Sequence, residues 1–357
     1  MELQVNRTDF HRTRVVDNPP AALEPGQARL AIGRFAFTAN NITYVAMGDF
    51  MRYWDFFPAE SPWGVPPVWG FADVVESRHD DVAVGTRVFG FLPLATELVV
   101  TVGKVDAEGF TDGAPHRAGL ASVYNRYALA DPAVEVGSVG EDRQMVLYPL
   151  FVTSFLVDDF LVDNDDFGAE RVIISSASSK TALGVAQCAS QRGGLEVVGL
   201  TSPSNAAFVR GLGVYDLVLA YDELDQLPGG TAVYVDVTGS GTVRAAVHAH
   251  YGDDLRHDMI LGGTHWDQMG SAPGKMPGPA PAFFFAPSQV AKRNVEWGAE
   301  GLDQRLQDAW ATHAGWAADW VDFHHSEGPD AATEVYLEVL DNRSDPRVGH
   351  IVTLTSS

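Results

Sequence analysis

The run Arg171-Val-Ile-Ile-Ser-Ser-Ala-Ser-Ser-Lys180 carries the clearest chemistry in the chain. An apolar strand runs into a turn of small side chains, and the following Thr181-Ala-Leu-Gly-Val-Ala-Gln-Cys-Ala189 continues at helical spacing. A strand, a tight turn and a helix start together make an anion site, because the first-turn N–H groups and the helix dipole both favour a phosphate there. The G-x-G-x-x-G pattern of dinucleotide-binding turns is altered: Ser176, Ser179 and Ala182 stand where its glycines would, and Lys180 sits inside the turn. Serine and alanine still allow close backbone approach. Ser178 and Thr181 offer hydroxyls, and Lys180 can place a charge near a phosphate.

The end of the next strand bears on which dinucleotide is expected. NAD sites put an Asp or Glu there for the ribose hydroxyls, whereas this chain has Leu200-Thr-Ser-Pro-Ser-Asn205, with no acid. A 2′-phosphate would be tolerated and could bond Ser202 and Asn205, with Lys180 or Arg210 adding charge, so NADP(H) is the expected cofactor. The competing reading makes Ser204 a helix cap and leaves Asn205 and Arg210 solvated.

These residues need a parallel sheet to hold them. Leu217-Val-Leu-Ala-Tyr221, Ala232-Val-Tyr-Val-Asp-Val-Thr-Gly239 and Asp258-Met-Ile-Leu-Gly-Gly-Thr-His265 read as three further strands, separated by helical patterns at 206–212 and 243–251. Strands alternating with helices imply βαβ units, and ligands collect at the carboxyl ends of such strands. That rule gathers Ser176 to Lys180, Thr201, Ser202, Tyr221, Thr238, Gly239 and Gly263-Thr264-His265 on one rim. The expected fold class is α/β, a Rossmann-like doubly wound sheet with a second, β-rich domain.

With 357 residues the chain can build two cores. A net charge of -23 excludes partners that need clustered cations, such as nucleic acid or an anionic membrane, and its simplest role is solubility. Cys188 is the only cysteine, so a disulfide framework, a cysteine-rich zinc site and an iron–sulfur cluster are excluded; its place in an apolar helix stripe reads as a small buried hydrophobe. No signal-peptide pattern and no membrane-spanning run is read in the sequence, so a cytoplasmic protein is expected.

From Gln27 to about Val102 the texture changes to short alternating runs (28–37, 73–76, 86–91, 97–102) broken by Gly, Pro and Asp, the mark of a β-rich domain. A polar stretch from Gly137 to Asp142 marks its end. The Pro- and Gly-rich loop Ser271 to Pro281 is the expected flexible element. Near the C-terminus, 330–340 reads as a helix and Gly349-His-Ile-Val-Thr-Leu354 as a last strand.

This order of domains, with Asn41-Ile-Thr-Tyr44 through Gly48-Asp49, Pro67-Val-Trp-Gly-Phe-Ala-Asp-Val-Val-Glu76, Val84-Gly-Thr-Arg-Val88 and Phe208-Val-Arg-Gly-Leu-Gly-Val-Tyr-Asp216, resembles the medium-chain dehydrogenase/reductase superfamily, in particular its zinc-free quinone-reductase-like members. The resemblance implies a GroES-like substrate domain over residues 1–145, an NADP-binding domain over 146–295, and a C-terminal segment, 296–357, returning to the first domain. It further implies an oxidoreductase acting on a small carbonyl, enone or quinone-like substrate, in an uncharacterised branch of the superfamily. The zinc-dependent members use cysteine and histidine ligands; here His79 and His116 lie in the N-terminal domain without a cysteine, so no metal is expected.

Hydride transfer needs a donor that stabilises the developing oxyanion, and without zinc that donor is a side chain. Tyr44 and Asp49 come from the family-like segment, Tyr53 follows closely, Tyr124 lies in the unusual peptide Ala121-Ser-Val-Tyr-Asn-Arg-Tyr127, and His265 closes the fifth strand. Arg293 is a further cofactor candidate, since its section would pass near the nicotinamide in a reductase-like fold. His248 and His250 face different sides of one helix and do not make a metal pair. The aromatic stretch from Trp297 to Trp320 reads as a helix that could serve core packing, an intersubunit face or a lid, so a homodimer stays open as a partner beside the small-molecule substrate. Two other functions also remain open: a cofactor-assisted C–C bond lyase, and a catalytically inactive NADP-binding sensor.

Overall fold

The structure is a computed structural model that describes residues 1–262 and 276–355. Its contacts divide the chain into two compact units, Met1–Val146 with Asp322–Ser357, and Leu147–Val321.

In the first unit, strand Gln27–Phe37 pairs with Pro67–Ser77 and with Glu97–Asp106, and the sheet between them runs on through Arg87–Pro93, Arg126–Leu129 and Gly109–Asp112 back to Glu97–Asp106. The strands therefore close on themselves and leave few edges. Their inward side chains, among them Phe35, Phe37, Phe71, Phe91, Phe110 and Tyr127, are almost fully buried. The C-terminal segment adds a βαβ unit: Asp322–Glu327 and Val348–Thr353 are parallel, joined by helix Pro329–Leu340, and Val348–Thr353 runs antiparallel to Gln27–Phe37. The return of the C-terminus to the N-terminal domain is thus a sheet pairing.

The second unit holds a parallel sheet whose order among the described residues is Leu217–Ala220, Glu196–Thr201, Arg171–Ser175, Ala232–Asp236, Leu255–Ile260, Ala282–Phe283. Four of these strands were legible as apolar runs because parallel strands are covered on both faces; Val172, Ile173 and Ile174 are fully buried. The fifth, read at 258–265, instead runs Leu255–Ile260, because Arg256 and His257 break its apolar pattern at the start. The chain starts in the middle, builds outward through Leu217–Ala220, then returns to the other side of Arg171–Ser175. The order reverses between Arg171–Ser175 and Ala232–Asp236, and the carboxyl ends there form the crevice in which open α/β sheets take ligands.

Several expectations need correction. The polar stretch from Gly137 to Asp142, read as the end of the β-rich domain, opens helix Val139–Asp163, which carries Pro149 inside it, and the two units divide within this helix after Val146. The acids belong there, since Glu141 and Asp142 in the first turn favour the positive end of the helix dipole and are paired with Arg34 and Arg87. This helix is also long and apolar enough, by length and composition alone, to cross a bilayer, although no such run was expected; half of its most apolar window is buried, and Leu156, Val157 and Leu161 pack into the core of the second unit. The aromatic stretch from Trp297 to Trp320 forms helix Ala299–Ala317, which Gly298, with φ +74°, sets off from a preceding helix, Ala286–Trp297. Both lie in the second unit rather than travelling with the C-terminal segment, because Trp316 and Trp320 pack against that unit's core. Cys188 is half-buried, and desolvation together with Asp158 pushes its thiol up to about 12, which suits a packing residue.

Candidate functional site

Two groups of polar side chains stand out, one in each unit. In the second unit, Ser176 follows strand Arg171–Ser175 with φ +51°, the left-handed conformation for which glycine is usual. Its N–H donates to the Tyr221 hydroxyl at 2.9 Å, which helps hold a non-glycine residue there. Ser179 caps helix Lys180–Arg192, its hydroxyl accepting from the Ala182 N–H at 3.3 Å, so Lys180 is the first helical residue. Asn205 donates from its side-chain nitrogen to the Ser178 hydroxyl at 3.0 Å and joins the turn to the helix after the second strand. Tyr215 donates to the Ala177 carbonyl at 3.0 Å. Gly199 permits this crowding, since a Cβ there would stand 2.8 Å from the Tyr215 ring and 2.9 Å from the Ala177 side chain. The turn thus runs from strand to helix through small side chains, with a serine in the conformation usual for glycine.

Behind it lies a buried network that sequence reading did not find. Asp236, fully buried at the end of its strand, accepts from the Ser175 hydroxyl at 2.8 Å across the order reversal. It also accepts from the Tyr234 hydroxyl and from the N–H groups of Thr238 and Gly239, each at 3.1 Å, and pairs with Arg244 at 2.6 Å. Burial raises the Asp236 carboxyl, and the Arg244 charge and these donors oppose that rise. Arg244 reaches on to Asp258 at 3.1 Å, and Asp258 accepts from His248. The signal for this network was an Asp at the end of a strand that is otherwise wholly apolar.

The expected rim residues differ in access. Ser202 bonds the Ser204 hydroxyl at 2.9 Å and is the N-cap residue of helix Pro203–Gly211. Thr201 and Thr238 are buried, while Tyr221 is half-buried. Thr181 lies in the first turn of its helix, half-buried. Arg210 donates to the Val218 carbonyl and lies 3.6 Å from Glu223, a structural engagement. Arg293 is buried, pairs with Asp159 at 2.7 Å, Asp163 at 3.2 Å and Glu296, and stacks on Trp297. Gly263, Thr264 and His265 lie outside the described residues, as does the loop from Ser271 as far as Lys275.

In the first unit the sheet gathers an aromatic cluster. Register places Trp69 opposite Phe91 on adjacent strands. Helix Ala39–Ala46 contributes Tyr44, the short turn Tyr53–Asp55 contributes Tyr53, and the turn Ser122–Asn125 contributes Tyr124. Ring centroids are 4.7 Å apart for Tyr44 and Tyr53, 5.8 Å for Tyr53 and Tyr124, and 6.3 Å for Tyr44 and Tyr124. The Tyr44 oxygen accepts from the Asn40 amide at 2.7 Å and from the Trp69 indole N–H at 3.1 Å. The Tyr53 and Tyr124 hydroxyls are 3.4 Å apart. Burial raises all three phenols, with neighbouring tyrosines adding to the rise at Tyr44 and Tyr124, so each is a neutral O–H at physiological pH. Asn40, Trp69 and Tyr124 are only half-buried and open the cluster to solvent.

Buried Arg117 holds the Tyr124 peptide. It pairs with Asp112 at 3.0 Å, donates to the Asn125 side chain at 3.2 Å and lies over the Phe57 ring. Sequence reading named three of the tyrosines here but missed Asn40, Trp69 and Arg117 as their partners. Asp49 stands apart from the cluster: its side chain is 77 % exposed and lies 3.8 Å from Arg7. Of the other tryptophans, Trp54 is a core residue clasped between Gly48 and Gly64, and Trp63 packs beneath Arg12 and Arg14. Among the described residues no group of three His, Cys, Asp or Glu side chains could hold a metal ion.

Residues 35–345 match the family model described as "Protein of unknown function (DUF2855)". The chain is a member of that family. No curated protein sequence matches it. Solved structures share its fold: CurA from Vibrio vulnificus in complex with NADPH has a TM-score of 0.65 at 12 % identity, covering 100 % of this chain and 99 % of that one. The quinone oxidoreductase of Pseudomonas syringae pv. tomato DC3000 gives 0.60 at 16 %, covering 98 % and 99 %, and Escherichia coli K-12 YhdH with bound NADPH gives 0.56 at 12 %, covering 99 % and 100 %. The fold is therefore the one expected from the resemblance to zinc-free medium-chain reductases.

Proposed function

We propose that this DUF2855 member is a zinc-independent, NADP(H)-dependent oxidoreductase that reduces a small, planar carbonyl, enone or quinone-like substrate. The observation that carries the reading is the phosphate turn: Ser176 adopts the glycine conformation, Ser179 caps the helix behind it, and the second strand ends in Thr201 and Ser202 with no carboxylate. The residues fit a nicotinamide dinucleotide. The N-terminal N–H groups of helix Lys180–Arg192 and the hydroxyls of Ser178 and Thr181 would hold the pyrophosphate, and Ser202, Asn205 and Tyr221 the adenosine ribose and its 2′-phosphate. That NADPH is bound in CurA and YhdH, which share the fold, supports the same choice.

Bound NADPH would supply a hydride. The chain's part is to bind the acceptor, polarise it and supply the proton that completes reduction. The aromatic faces of Trp69 and Tyr124, backed by the buried Phe91 ring, suit a flat substrate. Tyr44, a neutral phenol whose oxygen already accepts two hydrogen bonds, donates its own hydrogen to the substrate oxygen and transfers it as negative charge develops there; solvent then restores the proton. Tyr53 and Tyr124 share one hydrogen between their oxygens, leaving the other as a second donor.

The test is turnover. Purified protein is expected to consume NADPH when offered a panel of aliphatic enones, aromatic aldehydes and ortho-quinones, with at least one supporting multiple turnovers, and to keep that rate after dialysis against a chelator. Activity lost on chelation and restored by zinc would refute the zinc-independent reading. Consumption of none of the acceptors, with product formed from a β-hydroxy ketone instead, would transfer the site to the C–C lyase reading.

A further inference from the structure

We propose that Asn40 and Trp69 are positioning residues that turn Tyr44 into an obligate hydrogen-bond donor toward substrate. The proposal rests on Tyr44 being the proton donor of the reduction and adds how the fold sets its direction. A phenol can donate one hydrogen and accept at its oxygen. The Trp69 indole N–H can only donate, and it lies 3.1 Å from the Tyr44 oxygen. The Asn40 side chain presents its amide nitrogen to the same oxygen at 2.7 Å. With both neighbours donating, the Tyr44 hydrogen is directed away from them, and among the described residues nothing accepts it.

The geometry explains why these residue types stand here. Asn40 and Tyr44 are one helical turn apart on Ala39–Ala46, the spacing at which two side chains meet. Asn41, the neighbour, instead joins the backbone: its side chain accepts from the Thr38 N–H at 2.7 Å and donates to the Pro67 carbonyl at 2.8 Å, fixing the helix start on the strand that bears Trp69. Trp69 is locked in turn, its ring 5.6 Å from Phe89 and 5.4 Å from Phe91. Two donors aimed at one phenol oxygen also stabilise the negative charge left on it once its proton has gone, which makes proton transfer easier.

The titratable groups that face the Tyr44 hydroxyl are Tyr53 and Tyr124, both raised above the ordinary tyrosine value by burial, so none of the native groups around it changes charge near neutrality. That allows a pH test. Asn40→Asp replaces a donor by a carboxylate, which accepts the Tyr44 hydrogen and turns it away from substrate. Its kcat is expected to fall at least about tenfold at pH 8, and to recover as pH falls through the introduced carboxyl, because the protonated acid can donate again. The wild-type rate measured over the same range is the reference. Asn40→Leu is expected to lose activity without any pH recovery, and Trp69→Phe, which keeps the ring stack, to lose about tenfold in kcat with KM for NADPH unchanged.

A thermal melt of each variant checks the fold, and if Asn40→Asp does not fold, Asn40→Leu and Trp69→Phe carry the test. Wild-type activity of Asn40→Asp at pH 8 would overturn the proposal, since an acceptor would then serve as well as a donor; so would unchanged kcat in Trp69→Phe and Asn40→Leu. Tyr44→Phe separates the two levels. An inactive Tyr44→Phe beside fully active partner variants leaves the reduction reading standing and removes this inference, whereas an active Tyr44→Phe removes the reading itself.

Discussion

Tyr44→Phe should lower kcat about 10²–10³-fold while leaving NADPH affinity unchanged, the size of effect seen when a single preorganised oxyanion donor is deleted. The phenol is 5 % exposed, and its hydroxyl is the only part the substitution removes. The ring contacts with Tyr53 at 4.7 Å and Phe91 at 5.2 Å survive, so packing is kept. Trp69 and Asn40 lose their shared acceptor, but both are half-buried and water can take the place of the lost hydroxyl, which limits the stability loss to about 1 kcal/mol. Tyr53→Phe and Tyr124→Phe should cost less, because either phenol alone can still offer a hydrogen. Steady-state kinetics on whichever substrate the acceptor panel yields, with a cofactor titration of each variant, measures this. A kcat within threefold of wild type for Tyr44→Phe would take the proton donor out of the cluster.

The second large effect is on stability. Asp236→Ala should destabilise the second unit by about 3–5 kcal/mol, the range for breaking a buried ion pair from one side. Asp236 is fully buried and answers five donors: Ser175, Tyr234, the N–H groups of Thr238 and Gly239, and Arg244. Alanine removes this acceptor from all of them, although Arg244 keeps Asp258 at 3.1 Å and the Thr238 N–H keeps the Ser175 hydroxyl at 3.1 Å. For a unit of this size the loss corresponds to roughly 6–20 °C in the melting temperature. Asp236→Asn, which keeps the shape and an acceptor oxygen but loses the charge opposite Arg244, should fall between. Thermal melts of the three proteins decide it, and an Asp236→Ala melt within 2 °C of wild type would mean that the network contributes little. Because the same carboxylate ties the ends of the first and fourth strands at the crevice, the alanine variant is also expected to bind NADPH more weakly.

How much of this was legible depended on the range of the interactions. The parallel strands could be read directly, since Val172 to Ile174 and Ala232 to Val235 are continuous apolar runs with helical spacing between them. The turn after the first strand could be read too, because strand, small residues and helix start are neighbours in sequence. Asn205 was picked for its polarity, and the structure gives it a definite partner in Ser178. The aromatic cluster was only half legible. Tyr44, Tyr53 and Tyr124 could be named as residue types able to donate, but their meeting with Trp69 and Phe91 is made by the register of two antiparallel strands and two short turns, which no local pattern encodes. Asp49 and Arg293 had their partners hidden for the same reason. Their charges suggested chemistry, while Arg7 and Asp159, distant in sequence, take those charges up in ion pairs. The helix Val139–Asp163 was hidden by the polar residues of its own first turn and by Pro149, both usual marks of an interruption.

The cofactor is the centre of the account, and calorimetric titration tests it most directly. Wild-type protein is titrated with NADPH and with NADH, and Lys180→Ala with NADPH. The account predicts tighter binding of NADPH than of NADH, because the second strand ends in Thr201 and Ser202 without a ribose-binding acid, and a loss of roughly ten- to a hundredfold in NADPH affinity for Lys180→Ala at an unchanged melting temperature. Binding of neither dinucleotide, or tighter binding of NADH, would contradict it.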